Sequence, residues 1–237
     1  MGAAIAQALS DAGAAVTVSG RRRGPLEDIA ARLPSSFAVE ADVTDEASVE
    51  AMYRAAQAAC GPVDIVVANA GAAESQRFAA TERDLWERMI AVNLTGVYLT
   101  WRYGLIQMAD RGWGRLISVA STAGLKGYAY VAAYCAAKHG VVGLTRAVAL
   151  ETAKTGITAN ALCPGFTETP MLQASIANIV AKTGQTEQAA RAALAASNPQ
   201  GRFIRPEEVA QATLWLCGPG SDAVTGQAIS ISGGETW

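Results

Sequence analysis

Residues 1–23 read MGAAIAQALSDAGAAVTVSGRRR: a helix, then a short strand, then a basic turn. Small and apolar residues recur at helical spacing from Gly2 and stop at Gly13, and the run from Ala14 to Gly20 is β-rich. Working outward, the same alternation continues. Residues 25–33 read as helix, 35–43 as strand and 45–60 as helix, and the nearly all-apolar VDIVVANAG at 63–71 fits a strand covered on both faces. A long helix is expected from about Thr81 to Arg111, a strand at 114–121, and a second long helix from about Val131 to Lys154. A strand at 157–165 follows, then Ala/Gln-rich helix from about Thr169 to Pro199, a helix from Pro206 to Cys217 and a last strand at 226–234. Alternating strands and helices predict an α/β protein, a doubly wound parallel sheet in three α/β/α layers with right-handed crossovers. No linker or repeat divides the chain, so residues 1–237 are expected to form one domain, with a helical segment at about 168–200.

The 237 residues are 51% hydrophobic and 17% charged, ample for a core and unlike a disordered chain. A formal net charge of −2 gives no electrostatic footprint for nucleic acid or an anionic membrane surface. No apolar run reaches the ~18 residues a membrane helix needs. Cys60, Cys135, Cys163 and Cys217 form no Cys-x-x-Cys pair, which fits free thiols in a reducing cytoplasm. With His139 the only histidine, no metal site and no Ser-His-Asp triad is expected.

The chemistry concentrates at Tyr134-Cys-Ala-Ala-Lys138, with Ser121 thirteen residues upstream at a strand end. Tyrosine and lysine at i, i+4 share one helix face, and a nearby ammonium favours phenolate, predicting a tyrosine pKa drawn below its usual ~10. Such a phenol exchanges a proton with a carbonyl or alcohol oxygen, which the Ser121 hydroxyl is placed to hydrogen-bond.

These residues resemble the short-chain dehydrogenases/reductases, and the likeness covers essentially the whole chain. YCAAK at 134–138 is similar to the family's catalytic Tyr-x-x-x-Lys, and Ser121 in SVAST to its serine. VANAG at 67–71 resembles the Asn-Asn-Ala-Gly motif, although Ala68 replaces the first Asn. VNLTG at 92–96 carries Asn93 where the family holds a water of its proton relay. CPGFTETPM at 163–171 resembles the Pro-Gly turn and threonine that meet the nicotinamide, Asp42-Val43 the adenine contact, and VTGQAISISGG the last strand. The resemblance implies a Rossmann-like fold and hydride transfer between nicotinamide and a carbonyl or secondary alcohol. Tyr134 is then acid or base, Lys138 also holds the ribose, Ser121 orients the oxygen and Asn93 maintains the proton path. The cofactor-binding set it implies is Gly2, Arg21, Arg22, Asp42, Val43, Asn69, Ala70, Gly71, Tyr134, Lys138, Pro164, Gly165 and Thr167.

The family fingerprint is a strand followed by Thr-Gly-x-x-x-Gly-x-Gly, whose glycines admit the pyrophosphate to a helix N-terminus. Aligned to it, Gly2 is the last glycine, while the first strand and two earlier glycines are absent from this chain. The expectation is a natural start upstream, with Met1 internal to a Gly-Met-Gly loop. The alternative is a truncation that impairs cofactor binding and leaves a nucleotide-binding scaffold.

At the strand end after AAVTVS, an acidic residue would mark NAD. Gly20 stands there, followed by Arg21, Arg22 and Arg23, and an arginine suits a ribose 2′-phosphate. NADP(H) is expected, with Arg21 the first candidate and Arg22 the second; NAD(H) and a solvated basic turn are the alternatives.

The segment after Pro164-Gly165 is expected to form a substrate lid. Met171, Leu172, Ile176, Ile179 and Val180 either pack inward or line an apolar pocket, and Lys182, Arg191 and Arg202 either face water or meet a carrier phosphate. NPQGRFIRPEEVA at 198–210 looks most like the 3-oxoacyl-thioester and polyketide ketoreductase branch, so a small carbonyl substrate, CoA- or ACP-linked, is expected; other alcohol or sugar dehydrogenases share this stretch. The resemblance further implies a homotetramer or homodimer through the long helices, where Trp86, Met89, Val97, Trp101, Val141, Leu144 and Val148 could equally pack within the protomer.

Overall fold

A computed structural model describes residues 1–237. Six parallel strands alternate with nine helices: α1 (Gly2–Asp11), β1 (Val16–Gly20), α2 (Arg23–Ala30), β2 (Ser36–Glu40), α3 (Glu46–Cys60), β3 (Ile65–Ala68), α4 (Arg83–Ile90), α5 (Gly96–Met108), β4 (Gly114–Val119), α6 (Ala132–Thr152), β5 (Ile157–Pro164), α7 (Pro170–Thr183), α8 (Glu187–Ala195), α9 (Pro206–Cys217) and β6 (Ala228–Ile231). The strands form two sheets, a β1–β2 pair and a four-stranded sheet in the order β3-β4-β5-β6. The sheet is therefore divided, because no strand of this chain pairs with the other side of β1 or β3.

The four-stranded sheet is packed on both faces, as the alternation of its side chains requires. Leu116, Ala161 and Cys163 enter a 19-residue core with Val97, Trp101 and Val141. Ile117, Val119 and Leu162, from the intervening positions, join a second core with Ile5, Leu9, Val209 and Leu216. Helix α1 serves both sheets: Ile5 and Leu9 lie in that second core, while Ala6 packs with Val18 and Leu26 beside β1.

The long helix expected over 81–111 is interrupted. A single wide π-turn, Ala91–Thr95, separates α4 from α5 and carries Asn93. π-Bulges of this kind recur where a side chain must be turned to a functional position. Of the apolar residues on the long helices, Met89, Val97, Trp101 and Val141 are buried within the protomer, while Trp86, Tyr98 and Ile106 remain exposed.

Candidate active site

The site forms where the C-terminal ends of β3, β4 and β5 meet α6. Ser121 follows β4 in extended conformation, and its hydroxyl accepts the Ala123 N–H at 3.1 Å, starting the short turn Thr122–Gly124. That turn lies directly on α6. A Cβ at Gly124 would come within 2.7 Å of the Lys138 carbonyl oxygen, so only glycine permits the approach.

Tyr134 and Lys138 sit one turn apart on α6. The Lys138 Nζ lies 5.6 Å from the Tyr134 ring centroid and donates to the Val119 carbonyl oxygen at 2.8 Å. Lys138 is 3% exposed. Burial pulls its ammonium down to about 8, with the neighbouring Cys163 acting in the opposite direction. Tyr134 corrects the expectation of a lowered pKa: burial pushes its phenol up to about 12, and a hydrogen bond with Ser121 only partly offsets this. Desolvation of the phenolate outweighs any attraction from a lysine that reaches past the ring to a backbone carbonyl.

Asn93 is fully buried. Its amide donates to the carbonyls of Ala72 (2.8 Å) and Met89 (3.0 Å), and its Oδ1 accepts the Ala72 N–H at 3.2 Å. The side chain is therefore committed to holding the loop after β3. Gly71 fits tightly beneath it, since a Cβ there would lie 3.0 Å from the Asn93 Oδ1 and 3.8 Å from the Lys138 Nζ. Asn69, two residues before, meets the start of α1: a Cβ at Gly2 would lie 2.7 Å from the Asn69 Nδ2.

A separate cavity of about 460 Å³ opens at the ends of β1 and β2, lined by Arg21, Glu40, Ala41, Asp42 and Ser48. Arg22 is outside that lining; it is exposed and precedes α2. The Asp42 carboxylate accepts the N–H and hydroxyl of Thr44, which hold it below its ordinary pKa. Val43 turns onto α5, where a Cβ at Gly96 would come within 2.7 Å of its Cγ2. At the end of β5, the Gly165 N–H donates to the Ile231 carbonyl oxygen (3.0 Å) and the Thr167 hydroxyl to the Gly165 carbonyl oxygen (2.9 Å).

Two alternatives were open for the segment after β5. Leu172 and Ile176 are buried with Ala190 and Phe203, so they pack inward, while Met171 stays partly exposed. Arg202 is paired with Glu208 and Arg191 with Glu168, both at the surface. Sequence reasoning missed the cluster Thr122, Tyr128, Lys126 and Glu235 beside the Ser121 turn. Tyr128, six residues before Tyr134, was its only local signal.

The family model described as enoyl-(acyl carrier protein) reductase matches residues 1–236. The chain belongs to the short-chain dehydrogenase/reductase family. This short-chain dehydrogenase/reductase is 42% identical to a D-beta-hydroxybutyrate dehydrogenase of Cupriavidus necator over 82% of this chain and 76% of that protein. A structure of a variant actinorhodin polyketide ketoreductase with NADPH superimposes with a TM-score of 0.95 at 37% identity, covering 98% of this chain and 92% of the other. A 3-ketoacyl-(acyl-carrier-protein) reductase from Brucella melitensis, complexed with NADH, gives 0.89 at 31% identity over 99% and 93% of the two chains. The protein is an oxidoreductase with the Rossmann-like fold of this family.

Proposed function

We propose that the protein reduces the ketone of a 3-oxoacyl thioester, carried by CoA or acyl carrier protein, with NADP(H) as reductant. The observation that carries this is the close set of Ser121, Tyr134 and a buried Lys138 ammonium at the strand ends, a proton donor with a second hydroxyl beside it. When bound, the nicotinamide supplies the hydride; the protein supplies position and proton.

Tyr134 remains protonated at ordinary pH, so it is ready to donate to the carbonyl oxygen during reduction. The Ser121 hydroxyl holds the same oxygen. The Lys138 ammonium offsets the negative charge left on Tyr134 when its proton is given up, and would hold the ribose. With the Asn93 carboxamide already committed, its share in a proton path falls to the backbone carbonyl in the widened turn.

The residues fit a nicotinamide dinucleotide. Gly2, Asn69, Ala70 and Gly71 form a side-chain-poor cradle between the start of α1 and the end of β3, while Asp42 and Val43 flank the adenosine end. Pro164, Gly165 and Thr167 edge the nicotinamide end. Arg21, lining the outer cavity, is the 2′-phosphate partner, and Arg22 is its exposed neighbour. NAD(H) is the other cofactor reading, supported by the neighbour complexed with NADH. Helices α7 and α8 form the lid over about 168–200, within one domain of 237 residues. The exposed Trp86, Tyr98 and Ile106 support pairing of the long helices in a homotetramer or homodimer. Four free cysteines support a cytoplasmic setting.

The test is turnover of a 3-oxoacyl thioester by wild type and Tyr134→Phe with NADPH and NADH. Tyr134→Phe should lose about 10²–10⁴-fold in kcat and keep its affinity for NADPH. Equal turnover in both proteins would sink the assignment of Tyr134. Turnover of small hydroxy acids or sugar alcohols in preference to thioesters would move the substrate to the hydroxybutyrate or sugar dehydrogenase reading.

A further inference from the structure

Glu235 lies in the short segment after β6, yet its side chain is 1% exposed. One carboxylate oxygen, Oε1, accepts the Tyr128 hydroxyl at 2.6 Å and meets the Lys126 Nζ at 3.0 Å. The other, Oε2, is buried without a partner. It faces the Pro164-Gly165 turn closely enough that a Cβ at Gly165 would lie 3.2 Å away. A buried carboxylate with one oxygen unsatisfied is costly, and stability alone is a poor account of it.

The contacts of Tyr128 indicate what the carboxylate does. A phenol has one proton. Given to Glu235, it leaves the Tyr128 oxygen to accept from the Thr122 hydroxyl, 2.7 Å away. Thr122 is the residue after Ser121 and the first of the turn that Ser121 caps. Burial, then the bond to Glu235, raise the Tyr128 pKa far above its ordinary value, so Tyr128 is a fixed donor and not a second acid. Its ring also meets Phe166 edge-on, with centroids 6.3 Å apart. One carboxylate thus joins the segment after β6, the loop after β4 and the turn after β5.

We propose that Glu235 is a positioning residue for catalysis: acting through Tyr128 and Thr122, it fixes the Ser121 hydroxyl against the substrate oxygen. Its kinetic consequence rests on the ketone reduction proposed above, while its structural consequence does not. Lys126 balances the charge of the carboxylate at the edge of the cleft, so the latch is held by an ion pair as well as a hydrogen bond.

The experiment compares wild type, Glu235→Ala, Glu235→Gln and Tyr128→Phe. Three quantities are read: kcat for ketone reduction, Kd for NADPH by nicotinamide fluorescence, and amide hydrogen exchange at Ala123, Gly124 and Leu125. The Ala123 N–H is bonded to the Ser121 hydroxyl, and the other two to the carbonyls of Ser121 and Thr122, so they report the turn itself. Glu235→Ala and Tyr128→Phe should each lower kcat about tenfold, the scale of one buried hydrogen bond to a charged group. Both should speed exchange at the three amides and leave the NADPH Kd unchanged. Glu235→Gln, which still accepts from Tyr128, should recover most of the loss. Unchanged kcat in Glu235→Ala, or kcat and thermal midpoint falling together while the NADPH Kd rises, with no recovery in Glu235→Gln, would overturn the proposal. Were wild type to reduce no carbonyl compound, the proposed function would fail; the exchange data would then decide the latch, and unchanged protection in both Glu235→Ala and Tyr128→Phe would end it.

Discussion

The two sheets are made from the same strand–helix unit, yet they are built to different standards of enclosure. All six residues of β4 and all eight of β5 are buried. In β1 only Val18 is buried, and in β2 none is. The proposed chemistry stands on the first sheet, where Lys138 is buried against a strand carbonyl. The proposed cofactor-selecting residues stand on the second, where Arg21 and Asp42 border an open cavity. Burial tunes the first region, moving the phenol up and the ammonium down. The second works through solvated charge, which is easily altered without disturbing a core.

The comparison can be tested first through stability. Leu116→Ala removes a fully buried side chain from β4 and should cost about 2–5 kcal/mol, read from chemical unfolding. Val18→Ala, in β1, should cost about 1–2 kcal/mol for the methyl groups it loses. Equal costs would mean that the β1–β2 pair is as tightly integrated as the four-stranded sheet.

A second test bears on selectivity. Arg21→Ala should raise KM for NADPH about tenfold, the worth of a charge-assisted hydrogen bond, with KM for NADH unchanged. Parallel changes for both cofactors would show that this end of the molecule does not discriminate them.

The smallest effect is in pH dependence. During reduction Tyr134 stays protonated to about 12, so of the two Lys138 titrates first with rising pH. Its folded pKa is lowered to about 8, so the ammonium is present below that value and lost above it, and kcat for reduction should decline past about pH 8. The ratio of NADPH to NADH efficiency should stay flat over the same range, because Arg21 lines a cavity separate from Lys138. A flat kcat profile would remove Lys138 from the reaction.

Much of this was legible from local sequence. The i, i+4 spacing of Tyr134 and Lys138 needs only a helix, and the position of Arg21 needs only a strand that ends before it. The apolar run at 63–71 and the stretch at 157–165 announced strands. What could not be read involved distant partners or burial. The π-turn at Asn93 depends on Ala72, 21 residues away. Glu235 meets Tyr128 across 107 positions.

Sequence by itself therefore determined the order of elements and the family, and it singled out the side chains proposed to react, because hydrophobic period and i, i+4 spacing are properties of neighbouring residues. Tertiary structure decided the direction of the Tyr134 shift, the commitment of the Asn93 carboxamide and the contacts of Glu235 with Tyr128 and Lys126. Each of these depends on which surfaces lose water and which polar atoms meet when distant segments pack, and desolvation is a property of the packed fold.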